Sequence, residues 1–241
     1  MRATRFEFEQ RFWIIGAIFW VGFSLYAIDT TNCANWLFHL FAPTVDPASA
    51  RANTIQHWIF GAGALLVFLA ALIRTWATAY LRTEIVHDMS QHSESLIADG
   101  PYRWVRNPLY LANLPMTAGV GLMASRLGWF FMIVAMYVFV YRLILREEDG
   151  LLQNQGGSYA AYLKTVPRLF PSPVPRLPAT GNQPHWGQAI AAEMFIWLFG
   201  VAVLCFAITL NFKLTGIIFA ASFAIYFIAV RLVKKPAAVS S

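Results

Sequence analysis

The sequence predicts an all-α protein, a polytopic transmembrane helical bundle of about six helices with a polar site at its cytoplasmic end. Three observations carry this prediction. Six uncharged apolar runs divide the chain, at residues 12–28, 55–73, 109–125, 127–141, 194–210 and 214–230. Basic residues are dense in every second connection and sparse in the others. Two polar clusters, at 100–110 and 142–168, bracket the hairpin made by the third and fourth runs.

The apolar content supports the membrane reading directly. Hydrophobic residues make up 58% of the chain and the mean hydropathy is +0.53, above the share of about 45–50% usual for soluble domains. Most runs sit at the short end of the spanning range of about 17–25 residues, so flanking residues must extend several of them. The first run follows a charged N-terminus but lacks an A-x-A-like cleavage site, and it reads as a retained helix rather than a signal peptide.

Charge sets the expected topology. Arg2, Arg5 and Arg11 precede the first run, and Arg74, Arg82, Arg103 and Arg106 lie between the second and third. Arg142, Arg146, Lys164, Arg168 and Arg176 lie between the fourth and fifth, and Arg231, Lys234 and Lys235 follow the sixth. Only Arg51, Arg126 and Lys213 occupy the alternate connections. The positive-inside rule then places both termini and both long polar loops in the cytoplasm, as in a multi-pass protein of the cell inner membrane. The net charge of +6 follows from this asymmetry and from contacts with membrane lipids, without a nucleic-acid partner.

Taken in order, the first helix carries Trp13, Trp20 and Tyr26, which suit membrane interfaces. The outer loop, 29–54, is turn-rich through Asp29, Asn35, Pro43, Asp46 and Pro47 and shows no chemistry. The second helix opens on Gln56 and a solvated His57, and Gly61 and Gly63 offer close packing to a neighbour. It leaves the bilayer through Arg74, Trp76, Tyr80 and Arg82, cations interleaved with aromatics, with Arg74 the foremost candidate for function. His87, Asp88, His92 and Glu94 follow, but the i, i+5 histidine spacing does not align two ligands on one helical face. This segment reads as a solvated connection with no metal.

The third helix starts at Asn107-Pro108. Proline at the first turn sacrifices no hydrogen bond and the asparagine side chain can cap free amides. With Tyr102, Arg103, Arg106 and Tyr110 around it, this N-terminus is also a candidate anion site. The short turn at 125–128 makes the third and fourth helices antiparallel neighbours. The fourth helix runs into Glu147 and Glu148, carboxylates that a helix C-terminus disfavours and that therefore call for a cation. After a break at Gly156-Gly157, Tyr159 and Tyr162 share one helical face at i, i+3. Six prolines from Pro167 to Pro184 then form an extended linker, and the last two runs carry a single charge at their entry, Glu193.

The division that follows is 1–73 for the first two helices, 74–175 for the polar core, 176–192 for the linker and 193–241 for the last two helices and tail. Tyr110 and Glu147 are separated by roughly 55 Å of helix, close to twice a hydrocarbon core of about 30 Å. One crossing and one return bring both clusters to the same face.

Gly100-Pro101-Tyr102-Arg103, Arg106-Asn107-Pro108 and Tyr110, then Glu147-Glu148 with Leu151, then Gly156, Tyr159, Tyr162 and Val166-Pro167-Arg168, together resemble the isoprenylcysteine carboxyl methyltransferase and phospholipid methyltransferase superfamily. The resemblance covers about residues 70–175. It implies an integral membrane enzyme that uses S-adenosylmethionine without a Rossmann domain and methylates a lipid or prenylated small molecule. By matching position, Tyr102, Arg106, Asn107, Pro108, Tyr110, Glu147 and Glu148 surround the cofactor, with Tyr159, Tyr162 and Arg168 closing the site. For a carboxylate acceptor, Arg168 or Arg74 would orient the substrate; for a lipid amine, Glu148 would take the proton. Asn107 stands where many carboxyl methyltransferases carry histidine, and Ala112 where glycine is common. The first change keeps hydrogen-bonding capacity but removes a titratable ring. A membrane NADPH-dependent reductase of the sterol reductase type and a non-catalytic membrane protein are the alternative readings.

Overall fold

The computed structural model describes residues 1–81 and 98–233, with side chains through Tyr226. Its helices are α1 (Arg5–Glu9), α2 (Arg11–Ser24), α3 (Cys33–Phe41), α4 (Ala50–Tyr80), α5 (Pro108–Gly121), α6 (Arg126–Gln155), α7 (Gly157–Thr165), α8 (Trp186–Thr209) and α9 (Phe212–Val233). Short 3-10 turns occupy Leu25–Ala27 and Gly100–Arg103. The described residues contain no strand, only an isolated bridge between Asn32 and Ser125. The protein is an all-α helical bundle.

Three helices, α4, α6 and α8, are long and apolar enough to cross a membrane. The segments Arg11–Ala27 and Phe212–Tyr226 are apolar but shorter. The third expected span is shorter still. Helix α5 ends at Gly121, and its 14 residues reach only about 21 Å. Tight turns through Leu122, Met123 and Ala124 extend the segment toward α6. Conversely, α6 continues beyond the apolar run that ends at 141 and beyond the carboxylates expected at its C-terminus, to Gln155.

Helix α4 is the central post, with α5 on one side and α8 on the other. Its crossing with α5 is a backbone contact: a Cβ on Gly63 would meet the Gly119 carbonyl oxygen at 2.8 Å, and one on Gly119 would meet the Gly63 oxygen at 2.3 Å. Close approach of small residues is how helices associate where lipid removes the hydrophobic drive. Gly61, its expected companion, faces open space. Phe60, Val67, Met116, Val120, Val203 and Phe206 fill the core around this crossing. A second core joins α2 and α5 to α6 through Ile18, Met132, Met136, Leu143 and Ile144.

The end of the bundle away from Glu148 is more ordered than its turn-rich sequence suggests. Asn32 caps α3 by accepting from the Asn35 amide, and the segment before it is stitched to the α5–α6 turn. Cys33 N–H donates to Ala124 O at 2.9 Å, Arg126 N–H to Thr31 O at 2.8 Å and Tyr26 Oη–H to Met123 O at 2.9 Å. Asp29 takes Leu127 N–H at 2.9 Å and pairs with Arg126 at 3.2 Å. His57, expected in solvent, lies with Nδ1 2.6 Å from Ala207 O and ties α4 to α8. Cys33 and Cys205 are both free thiols.

Candidate functional site

The two polar clusters do converge, at the end of the bundle where α4 leaves, α5 begins and α6 emerges. Glu148 is 22 positions beyond the start of α6, about 33 Å along the axis, so it sits at the edge of a hydrocarbon layer of about 30 Å. The side chain is nevertheless buried, with the residue 4% exposed. Its oxygens are fully engaged. Oε1 accepts from Asn107 Nδ2 at 3.1 Å and lies 3.1 Å from Arg106 Nε; Oε2 accepts from Arg168 Nε at 2.9 Å.

Each partner is itself held. Arg106 Nη1 donates to Leu163 O at 2.5 Å. Arg168 Nη1 donates to the Tyr141 hydroxyl at 2.8 Å, and its guanidinium carbon lies 5.5 Å from the centre of that ring. Burial opposes the Arg168 charge, but Glu148 and the Tyr141 hydroxyl outweigh it and raise the guanidinium pKa. Asn107 Nδ2 also donates to Arg168 O at 3.0 Å. Asn107 is the N-cap residue of α5, but its side chain makes no capping bond. The expected cap is therefore replaced by a cross-link from α5 to α6 and to the segment after α7. The carboxylates are also not at a helix C-terminus, since α6 continues for seven residues past Glu148. Glu148 is stabilised by two arginines and not opposed by a helix end.

Glu147, one residue earlier, differs. Its Oε2 and the Tyr110 hydroxyl are both buried and neither is aligned in a hydrogen bond, although the two groups lie close enough to act on each other and Arg11 is the cation that acts on Glu147. Tyr110 and Glu147 face each other. Arg106 Nε is likewise buried and lies close to Glu148 without the alignment of a hydrogen bond. An unmatched buried donor or acceptor costs about 1–3 kcal/mol, so the facing Tyr110 hydroxyl and Glu147 oxygen are suited to a ligand's polar groups.

The aromatic residues close this end. Tyr159 and Tyr162 are buried on one face of α7 with ring centres 5.7 Å apart. Tyr162 donates to Tyr102 O at 2.8 Å. Burial pushes the pKa of both hydroxyls up, with Glu148 adding to the effect at Tyr159 and Tyr159 adding to it at Tyr162. Tyr102 is raised by burial and by Glu147. All three stay neutral at physiological pH. Pro108 is buried at the first turn of α5.

Arg74 engages a different carboxylate, within electrostatic reach of Tyr102 and Tyr110. Nε donates to Glu193 Oε2 at 2.6 Å and Nη2 to Oε1 at 3.2 Å, while Thr78 Oγ1 donates to Oε1 at 2.7 Å. This bidentate pair joins α4 to α8. Trp197 Nε1 adds a bond to Thr75 Oγ1 at 2.9 Å one turn away. Glu193, treated in the sequence as an isolated charge, is the residue that engages Arg74. Its signal was its location alone, a carboxylate entering an apolar run. Tyr141 carried no signal beyond an aromatic near a helix end.

The linker is also more than a spacer. Arg106 N–H donates to Pro167 O, Ser172 N–H to Trp104 O and Arg176 N–H to Arg103 O, at 2.8 to 2.9 Å. Asp99, buried before the 3-10 turn, accepts from the backbone N–H groups of Thr180 at 2.8 Å and Asn182 at 3.1 Å, and from the Thr180 hydroxyl. Burial raises the Asp99 pKa, but these donors outweigh it and hold it below the ordinary aspartate value. His87, Asp88, His92 and Glu94 lie outside the described residues. Among the described residues no three His, Cys, Asp or Glu side chains come together.

The fold and site define a class: a membrane-associated helical bundle whose buried charged cluster sits at one end of two antiparallel helices. Residues 58–157, less than half of the chain, match the model of the phospholipid methyltransferase family. The match supports a membrane methyltransferase in general terms. Two relatives are more specific. Over 147 residues the chain is 26% identical to the cobalt-zinc-cadmium resistance protein CzcN of Cupriavidus metallidurans, covering 59% of this chain and 63% of the relative. Over 118 residues it is 28% identical to the nickel-cobalt-cadmium resistance protein NccN of Alcaligenes xylosoxydans xylosoxydans, covering 47% of this chain and 52% of the relative. The matches thus span less than two thirds of either relative. No solved structure is detectably similar to the chain.

Proposed function

We propose that the chain is a multi-pass inner-membrane enzyme, with both termini in the cytoplasm, that transfers a methyl group from S-adenosylmethionine to a lipid-like acceptor. The observation that carries this reading is the buried pair of facing groups, Tyr110 Oη and Glu147 Oε2, neither aligned in a hydrogen bond, beside a cluster in which every Glu148 oxygen is engaged. These residues fit the cofactor's polar groups. Glu147 offers an acceptor for ribose hydroxyls or an ammonium, and Arg106 offers a donor for a carboxylate. The ring faces of Tyr102 and Tyr110 suit a cationic centre. When bound, S-adenosylmethionine supplies an electrophilic methyl group on sulfonium sulfur.

The chain's own part is positioning and exclusion of water. Glu148 aligns Arg106, Asn107 and Arg168, and thereby fixes the start of α5 against α6. Tyr159 and Tyr162 cover the cluster. A prenylcysteine-type carboxylate is already ionised and needs no base. A lipid amine must lose a proton, and Glu147, with an oxygen free to receive it, is better placed for this than the fully engaged Glu148.

The names of the two relatives extend the reading to divalent-metal resistance. Esterifying an anionic headgroup erases a charge that draws cations to the membrane surface, whereas methylating an amine leaves its charge in place. This favours a carboxylate acceptor. The test is a titration of purified protein followed by a labelled-methyl survey of host lipids. Thermal stabilisation by S-adenosylhomocysteine and none by NADPH, with label in the lipid fraction, is the expected result. Stabilisation by NADPH alone would replace this reading with a reductase.

A further inference from the structure

We propose that the cavity at the end of the bundle away from Glu148 is a second binding site, which takes the uncharged, hydroxyl-bearing head of a neutral amphiphile such as a monoacylglycerol. The cavity measures about 500 Å³, inside the range of about 300–1,000 Å³ that small-molecule sites occupy. It lies far from the buried carboxylates. Gln56 on its wall and Arg74 are 18 positions apart on α4, about 27 Å along the axis.

The two walls differ in chemistry. Tyr26, Asn32, Asn35 and Gln56 form a polar wall. Phe60, Phe206, Leu210 and Phe212 form an apolar one, and no charged side chain among the described residues lines the cavity. Half of the polar wall is already spent. Tyr26 donates to Met123 O and accepts from Asn32 Nδ2 at 2.7 Å, so these two side chains serve the α5–α6 turn. Asn35 and Gln56 share one bond, Gln56 Nε2 to Asn35 Oδ1 at 3.0 Å. One bond between two primary amides leaves N–H donors on one and a carbonyl acceptor on the other, and the same holds if both amides are turned over. A hydroxyl, donor and acceptor at once, matches such a pair. A carboxylate or an ammonium would satisfy only one half of it and would lose hydration without meeting an opposite charge.

The apolar wall is held by a backbone outlier. Leu210 ends α8 in the left-handed region, at φ 49° and ψ 28°, and is the only non-glycine residue with positive φ among the described residues. Backbone of this kind persists where the surroundings enforce it, and it clusters at ligand sites. Asn211, of a residue type that tolerates the conformation, is next in the chain but is used to accept from Leu214 N–H at 3.1 Å. Beyond this turn Phe212 packs on Phe206 with ring centres 4.4 Å apart, and Phe206 meets Phe60 at 4.8 Å. Phe212 and Trp58 are exposed, as aromatic residues are at a membrane interface. A tail can therefore lie in lipid while the head reaches the amides. The site is separate from methyl transfer and stands whether or not that activity is found.

The test is photo-crosslinking of the purified full chain in phosphatidylcholine nanodiscs, with labelled peptides mapped by mass spectrometry. Separate samples carry a diazirine-bearing monoacylglycerol, fatty acid or alkylamine of equal chain length. The two amide contacts predict a preference for the monoacylglycerol on the order of tenfold at residues 206–212. Asn35→Ala with Gln56→Ala should remove this preference while unfolding in detergent stays at the wild-type temperature. Asn53→Ala, at an exposed position of α4 outside the cavity, should leave it intact. Equal labelling by the three probes, stronger labelling by the acid or the amine, or an unchanged preference in the double variant overturns the proposal. The comparison of probes on the wild-type chain decides the case even where a variant unfolds. Millimolar glycerol should not compete; competition would assign the polar wall to a soluble polyol and overturn the lipid reading.

Discussion

Glu147 and Glu148 are adjacent on α6 and enter opposite surroundings. Glu148 turns toward Arg106, Asn107 and Arg168 and has no oxygen left to offer. Glu147 turns toward Tyr110, and its buried Oε2 has no hydrogen-bond partner. On a helix, successive residues point about 100° apart, so one Glu-Glu pair can serve two regions. The difference separates the part of the site that builds it from the part that receives a ligand.

Mutation of Glu148 should produce the largest effect. Glu148→Ala leaves Arg106 and Arg168 without their carboxylate, and the expected loss is about 3–5 kcal/mol of stability, measured by unfolding in detergent. A change below 1 kcal/mol, on the order of the experimental error, would mean that the cluster is not the scaffold of the site. Glu147→Gln should act on the ligand instead. Loss of one charge-assisted bond of about 1.5–3 kcal/mol predicts S-adenosylhomocysteine binding weaker by tenfold or more, with the unfolding transition little changed. If the two substitutions give the same pattern, the contrast between the carboxylates fails.

The Arg74–Glu193 pair extends the comparison to a second charged contact, one that joins α4 to α8. A double-mutant cycle with Arg74→Ala and Glu193→Ala should give a coupling of about 0.5–3 kcal/mol in stability. S-adenosylhomocysteine affinity should follow global stability only. A selective loss of affinity or turnover in Arg74→Ala, at unchanged stability, would return Arg74 to the catalytic role that its sequence position suggests.

The smallest expected effect is at Asp99. Its pKa is depressed in the folded chain, so its contribution is complete above the unfolded aspartate value of about 3.9 and fades as pH falls through the lower folded value. Hydrogen exchange in residues 180–182 should rise on the order of threefold under acid, and Asp99→Asn should show the rise already at neutral pH. Exchange that is identical in wild type and variant at every pH would show that the carboxylate does not anchor the linker.

Much of this organisation was legible beforehand because it depends on sums and repeats. Apolar runs mark α2, α4, α6, α8 and α9 whatever their neighbours, since transfer into lipid is decided residue by residue. Tyr159 and Tyr162 fall on one face because helical period alone demands it. The proline start of α5 was equally local. What escaped prediction required a partner. Asn107 reads as a cap until α6 presents a carboxylate to it; His57 reads as solvated until the Ala207 carbonyl arrives. The helix in the 29–54 loop depends on stitching to a turn some 90 residues away in sequence.

The sequence by itself determined a helical membrane protein with two polar clusters at one end, because hydropathy, charge asymmetry and helical spacing are properties of short stretches. Only the tertiary structure decided which cation meets which anion. Arg74, Arg106 and Arg168 are equivalent charges along the chain, and each meets a carboxylate that is buried. Packing gave Arg106 and Arg168 to Glu148 and Arg74 to Glu193. It left Glu147 facing Tyr110 without an arginine in its hydrogen-bonding shell.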